Sequence, residues 1–222
     1  MSTPAPSLAL TLPGSPPREL DPGASPTAGR RVLELVHQLL GGAGITARDL
    51  TRLIVGIGPG GFTGVRISVA TALGLGQALG IPVIGASSLE ALALGAAETS
   101  PVGSTIAAVT DARRGEVFAA AYRHGAAGLE ERLAPGAYSP SSFAAALASE
   151  DPAAICVGTG ALAYASAFQE AGLPPCPDGD LRHELRARHL IARVDAGASR
   201  PARPDYQRLP DAEVNRLAAA NR

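Results

Sequence analysis

LIVGIGPGGFTGVRISVATALGLGQALG, residues 53–80, runs from an apolar strand through a glycine-rich turn into a helix, and the rest of the chain is arranged about it. Leu53, Ile54, Val55 and Ile57 form the apolar run of a strand covered on both faces. Gly58, Pro59, Gly60 and Gly61 end it, because consecutive glycines take backbone angles that neither strand nor helix uses. Thr63, with Gly64 after it, is expected to cap the helix through its hydroxyl. From Val65 to Gly80 only Arg66, Ser68, Thr71 and Gln77 are polar, and a helix apolar all round is expected to be buried on more than one side. Ile81 to Gly85 reads as a second strand, which makes a βαβ unit with a parallel pair. Ser87 and Glu90 then fit a capping box that opens the small helix LEALALGAA.

Upstream, Ser7 to Leu12 reads as a short strand and Gly14 to Thr27 as a hairpin loop or mobile segment. Arg30 to Leu40 is expected to be a helix with a wide apolar face, ended by Gly41 and Gly42. His37 on that helix is read as an ordinary surface or core histidine. A turn from Thr46 to Arg52 feeds the central strand. Downstream, Thr105 to Thr110 and Glu116 to Tyr122 read as hairpin strands about the turn Asp111 to Gly115. A loop-rich stretch follows, then a helix from Ser141 to Ala148 begun by Ser139 and Pro140, a strand at Ile155 to Val157, a helix from Ala161 to Ala171 and a last helix from about His183 to Asp195. The pattern restarts near Ser100, so the expected fold is α/β in two related lobes, residues 1–100 and 101–222.

With 222 residues, 46% of them hydrophobic, the chain can bury one ordinary core or two small ones. Gly58 to Gly61 and Arg66 interrupt the longest apolar candidate for a membrane span, and the N-terminus lacks the basic region of a secretory signal, so a cytoplasmic location is expected. A net charge of −1 argues against holding nucleic acid by electrostatics alone. All 19 basic residues are arginine. The absence of lysine removes the Walker lysine, Schiff-base chemistry and every lysine general base. Cys156 and Cys176 are too far apart in sequence for CxxC and too few for a disulfide framework, so both are expected to be plain thiols.

The glycine loop admits several chemistries, which residue types discriminate. Gly56, Gly58 and Gly61 satisfy GxGxxG, but no acidic residue follows before Leu89 to hold a ribose. The end of a Walker loop falls on Gly64, Val65 and Arg66. A tight strand-to-helix turn remains, whose amides either face an anion or simply pack. His183 and Glu184 begin like HExxH, but position 187 is Ala187. There is no GxSxG elbow, and Ser87 or Ser88 is better read as a helix cap. Asp111, Arg113, Arg114 and Glu116 make a charged turn, either solvated or facing a partner. No cofactor, metal or catalytic residue is expected.

GPGGFTGVRISVATALGLGQALGIPVIGASSLEALA, residues 58–93, resembles the hallmark segment of the bacterial TsaB family, also called YeaZ. STPAPSLAL near the start, DARRGEVFAAAY from Asp111, VGTGA from Val157 and PDYQRLPDAE from Pro204 fit the same resemblance in order. It implies an actin-like fold (ASKHA, RNase H-like) of two lobes and a non-catalytic role in making threonylcarbamoyladenosine beside the anticodon of tRNA. The implied partners are TsaD, as a heterodimer, and TsaE. A homodimer is implied when the chain is alone, tRNA is met only within the complex, and no membrane is involved. The paired-histidine metal motif of TsaD-like proteins has no counterpart at Ala28, Gly29 and His37. The alternative from another class is a stand-alone actin-like hydrolase, glycoprotease-like enzyme or small-molecule kinase.

Three further expectations follow. The family's first strand leads into Asp-Thr-Ser-Thr, whereas here Met1, Ser2, Thr3 and Pro4 stand at the start, so the natural protein is expected to begin upstream. The arm from Leu181 to Arg222 carries 9 arginines against 5 acidic residues and is expected to add modestly to tRNA or partner contact. Ala70, Gly74 and Ala78 recur every four residues as a small-residue stripe. The resemblance implies that this helix and the preceding one form the partner interface, through Val32, Leu35, Val36, Leu39, Arg66, Ala70, Gly74, Gln77 and Ala78.

Overall fold

Apolar runs broken by glycine become the parallel pair of the first sheet. The computed structural model describes residues 7–20 and 31–207. In it β3 (Leu53–Gly58) and β4 (Val83–Ser87) pair in parallel, Leu53 opposite Val83 and Val55 opposite Gly85, with α2 (Phe62–Leu79) as the crossover. Val55, Ile57 and Val69 form the core between this pair and α2, with Val65, Ala72 and Val83 packed around them. The expected βαβ unit is therefore present, its second strand two residues later than expected.

A hairpin of β1 (Leu8–Leu10) and β2 (Arg18–Leu20) forms a separate two-stranded antiparallel sheet, with α1 (Val32–Gly42) packed against it. The helix runs through Gly41 and Gly42, where the sequence predicts its end. The chain turns instead at Gly44, whose φ of +71° suits glycine. Arg30, the segment 21–27 and the tail from Arg208 lie outside the described residues. A single 3-10 turn at Ala47–Asp49 follows, closed by Thr46 and Asp49 in a capping box.

The second sheet has four strands in the order β7-β6-β5-β8, namely β5 (Thr105–Arg113), β6 (Glu116–Gly125), β7 (Gly128–Tyr138) and β8 (Ile155–Val157). Both faces are covered, which is why β5 is apolar from Ile106 to Val109 and β6 from Val117 to Tyr122. Ala107, Val109, Val117 and Ala119 face Phe143, Leu147 and Phe168, carried by α4 (Pro140–Glu150) and α6 (Ala165–Glu170). Ile106, Ala108, Ala120 and Tyr122 face α3 (Ser88–Ala97), which enters this core with Leu89, Leu92, Ala93 and Ala96.

Several elements depart from the sequence reading. The loop-rich stretch is the 11-residue strand β7, which is stabilised by its ladder to β6 despite Pro135 and Gly136. The helix expected from Ala161 is two short helices, α5 (Thr159–Ala163) and α6, broken at Tyr164, whose φ and ψ of −119° and 33° are not helical. The last helix, α7 (Ala187–Asp195), is preceded by a separate 3-10 turn at Leu181–His183.

After the second sheet the chain returns to the first. The helix α7 packs on α3, β1, β3 and β4, and β9 (Arg200–Pro201) adds to β4 as an antiparallel neighbour. Glu90 and Glu98 anchor this return. Glu90 is 7% exposed and accepts from Arg193 at 2.9 Å and from Arg200. Glu98 accepts from Arg188 at 2.8 Å and contacts the buried ring of His189 at 3.2 Å. Arg188 also reaches Glu19 of the hairpin at 2.7 Å. Ser87 caps α3 as expected, accepting from the Glu90 amide, but the Glu90 side chain turns away to the two arginines instead of closing a capping box.

Candidate functional site

One face of α2 carries the residues that the sequence singled out. At 3.6 residues per turn Val65, Val69, Ala72 and Gly76 fall on one side, and this side packs on the sheet. Gly76 is needed there, since a Cβ would overlap Val83 Cγ2 and stand 3.1 Å from the Ile81 carbonyl oxygen. Arg66, Ala70, Gly74, Gln77 and Ala78 fall on the opposite side, and all are exposed. A helix apolar all round is thus covered on one flank only, which corrects the expectation of burial on more than one side.

The open face is small at its centre and apolar along its edges. A Cβ on Gly74 would meet nothing within 4 Å. Ile67, Leu73 and Phe62 beside it are 43%, 45% and 45% exposed. On α1, Val32, Val36 and Leu39 are half-buried and Leu33 is exposed. Leu35 is buried, so its side chain is not offered outward.

The glycine loop is a packed turn. Gly58 has φ +102°, and a Cβ there would lie 3.5 Å from the Asp205 carbonyl oxygen and 3.6 Å from Val65 Cγ2. Gly60 faces the same Val65 methyl, while Gly61 and Gly64 have open space around them. The helix cap is Gly61, whose carbonyl accepts from the Val65 amide at 3.0 Å. Thr63 lies inside the first turn, exposed, and makes no side-chain cap bond, contrary to the expectation. The Asp205 amide donates to the Ile57 carbonyl at 2.8 Å, which fastens the C-terminal segment over the loop.

That segment brings in a residue that was not singled out for the site. Tyr206 Oη accepts from Arg66 Nε at 2.8 Å, and the Arg66 guanidinium lies 3.8 Å from the Phe62 ring centroid. The two rings are 5.7 Å apart. Tyr206 lay within the PDYQRLPDAE motif, but nothing in its spacing tied it to a helix 140 residues earlier.

The other candidates are structural. His183 Nδ1 accepts from the Gly158 amide at 2.9 Å and Nε2 lies 3.0 Å from the Cys176 carbonyl, so the neutral ring with its proton on Nε2 bridges two backbone segments. Cys156 is a free buried thiol pushed up to about 12, mainly by burial, and Cys176 is free and partly buried. Asp111 stabilises its own turn, accepting from the Arg113 amide at 2.8 Å and pairing with the Arg113 guanidinium at 3.3 Å. Among the described residues no cluster of three or more His, Cys, Asp or Glu is placed to hold a metal ion, and no helix is long and apolar enough to cross a membrane.

The chain is similar to several known proteins. The family described as TsaD, tRNA N6-adenosine threonylcarbamoyltransferase, matches residues 23–173. An uncharacterized protein of Mycobacterium tuberculosis is 36% identical over 184 residues, 82% of this chain and 76% of that protein. The tRNA threonylcarbamoyladenosine biosynthesis protein TsaB of Bacillus subtilis is 39% identical over 105 residues, 47% of this chain and 44% of that protein. YeaZ from Pseudomonas aeruginosa superposes with a TM-score of 0.71 at 27% identity, over 90% of this chain and 93% of that one. The α/β fold is of the actin-like class, as expected. By sequence match and by fold together, the chain belongs to the TsaB (YeaZ) family, within the TsaD-type group of threonylcarbamoyladenosine proteins.

Proposed function

We propose that this chain is a non-catalytic partner subunit in the synthesis of threonylcarbamoyladenosine in tRNA. It pairs with TsaD through the exposed face of α2, with α1 contributing Val32, Val36 and Leu39. TsaE joins the pair, and tRNA is met only within the assembly. The names of the TsaB relatives supply the reaction, and Gly74 carries the argument for pairing.

Glycine costs an exposed helix about 1 kcal/mol relative to alanine. Gly76 is accounted for by Val83, but no contact among the described residues accounts for Gly74. A stripe of Ala70, Gly74 and Ala78 lets a second helix approach closely, and Ile67 and Leu73 supply the apolar edges such a contact buries. Size-exclusion mixing with TsaD tests this reading. A 1:1 complex is expected, and Gly74→Leu is expected to abolish it while circular dichroism remains that of the folded chain. TsaD and TsaE are expected to form threonylcarbamoyladenosine only with the chain present. Full activity without it, or normal pairing by Gly74→Leu, would overturn the proposal.

A further inference from the structure

We propose that Tyr206 positions Arg66 to receive a carboxylate from a protein docked on the α2 face, which makes that face selective for a different chain over a second copy of itself. This rests on the pairing reading above and names the chemistry of the partner.

Arg66 is an exposed arginine held in one place. Its Nε donates to Tyr206 Oη at 2.8 Å, and its guanidinium carbon lies 3.8 Å from the Phe62 ring centroid and 5.5 Å from that of Tyr206. Stacking and one hydrogen bond fix the plane of the fork. Tyr206 is held in turn, because the Asp205 amide donates to the Ile57 carbonyl and Gln207 Nε2 donates to Asp205 Oδ1, both at 2.8 Å. The two terminal amino groups of Arg66 donate to no acceptor among the described residues. A guanidinium oriented in advance, flanked by apolar rings and with two donors to spare, matches the geometry of a carboxylate.

Among the described residues of α1 and α2, a second copy offers no unpaired carboxylate. The helix α2 contains no Asp or Glu, so two copies meeting through it would bring together arginine-bearing faces. Glu34, the acidic residue of α1, is engaged by Arg31 at 2.9 Å. A partner helix of different sequence, small-residue contact at Gly74 and an acidic side chain one end along, fits both features.

Titration calorimetry with the TsaD protein of the same organism, at several salt concentrations, tests this on the full chain. Arg66→Gln is expected to weaken binding roughly tenfold or more and to flatten the salt dependence, as loss of a charge-assisted pair does. Tyr206→Phe keeps the ring and is expected to weaken binding roughly threefold to tenfold, with no further loss in the Arg66→Gln background. Both variants are expected to keep the wild-type Tm, as substitutions at exposed sites. Wild-type affinity for Tyr206→Phe, or an equal loss in both backgrounds, would overturn the proposal. So would a homodimer of the chain alone that weakens on Arg66→Gln. If Gly74→Leu abolishes binding while both Arg66→Gln and Tyr206→Phe bind normally, only this inference falls. If Gly74→Leu also binds normally, the pairing reading falls with it.

Discussion

Gly76 lies against Val83 so closely that any side chain would overlap it, while Gly74, half a turn away, faces open space. Two glycines of one helix therefore have opposite mutational signs. Gly76→Ala forces a methyl into the α2–β4 contact and is expected to cost about 1–3 kcal/mol of overpacking, offset by about 1 kcal/mol of helix propensity. Gly74→Ala carries only the propensity gain and is expected to stabilise the isolated chain by up to about 1 kcal/mol. Urea denaturation of the two variants measures both. A destabilised Gly74→Ala would mean that this chain itself uses the space.

Glu90 joins three elements through one buried carboxylate, accepting from Arg193 of α7 and Arg200 of β9. Glu90→Gln leaves the Arg193 side chain, itself only 15% exposed, without its counter-charge. A loss of about 3 kcal/mol is expected, in the range for breaking a buried pair by removing one partner. Arg200→Ala is expected to cost less, since that side chain is 38% exposed. Hydrogen exchange should show residues 187–201 opening first in Glu90→Gln. Uniform loss of protection across the chain would argue against a local anchor.

The βαβ unit was legible because apolar runs and glycine punctuation are local signals, and the Ala70, Gly74, Ala78 stripe needed only helical periodicity. What failed to read depended on distant partners. Serine three residues before glutamate is the same pattern whether Glu90 returns to the cap or, as here, reaches arginines 103 and 110 residues away. The sequence of β7, with Glu130, Glu131, Arg132, Pro135 and Gly136, has no strand periodicity and is set by the ladder to β6. Thr63 is a good capping residue two positions too late, because Gly61 already occupies the cap. The Arg66–Tyr206 bond joins sites 140 residues apart and left no trace in either segment. Of the arginines in the C-terminal arm, Arg182, Arg186, Arg188, Arg193 and Arg200 pair with acidic residues of this chain, which a count of charges does not reveal.

His189 gives the chain a pH dependence of definite sign. The ring is 3% exposed, packs on Gly95, and has a buried Nδ1 with no partner among the described residues. Burial lowers its pKa below that of an ordinary histidine, partly opposed by Glu98 and Glu19 and reinforced by Arg188. The unfolded chain therefore takes up the proton first as pH falls. Stability is fully present above about pH 6.5 and is lost as pH falls from there toward the folded pKa. His189→Phe keeps a ring against Gly95 and removes the titration, so Tm should fall less between pH 7 and 5.5 than in the wild type. Identical slopes would place the dependence elsewhere.

The first sheet predicts its own weak edge. The Leu53 amide donates to the Pro82 carbonyl at 2.9 Å, which sets the ladder so that Leu53 and Val55 bond toward β4. In a parallel strand alternate residues point the other way, so the backbone groups of Ile54 and Gly56 face the far side. Among the described residues no strand pairs with β3 there, and the β1–β2 hairpin is a separate sheet. The helix α7 packs on both β1 and β3 and so spans the two sheets from one face. It covers without bonding, because helical amides and carbonyls are already used within the helix. An edge amide that bonds only to water exchanges without unfolding of the sheet, whereas a ladder amide must wait for an opening event. The Ile54 and Gly56 amides are therefore expected to exchange roughly tenfold or more faster than those of Leu53 and Val55, by hydrogen exchange read residue by residue in NMR. Equal protection at all four would mean that a segment outside the described residues pairs with this edge and completes the sheet.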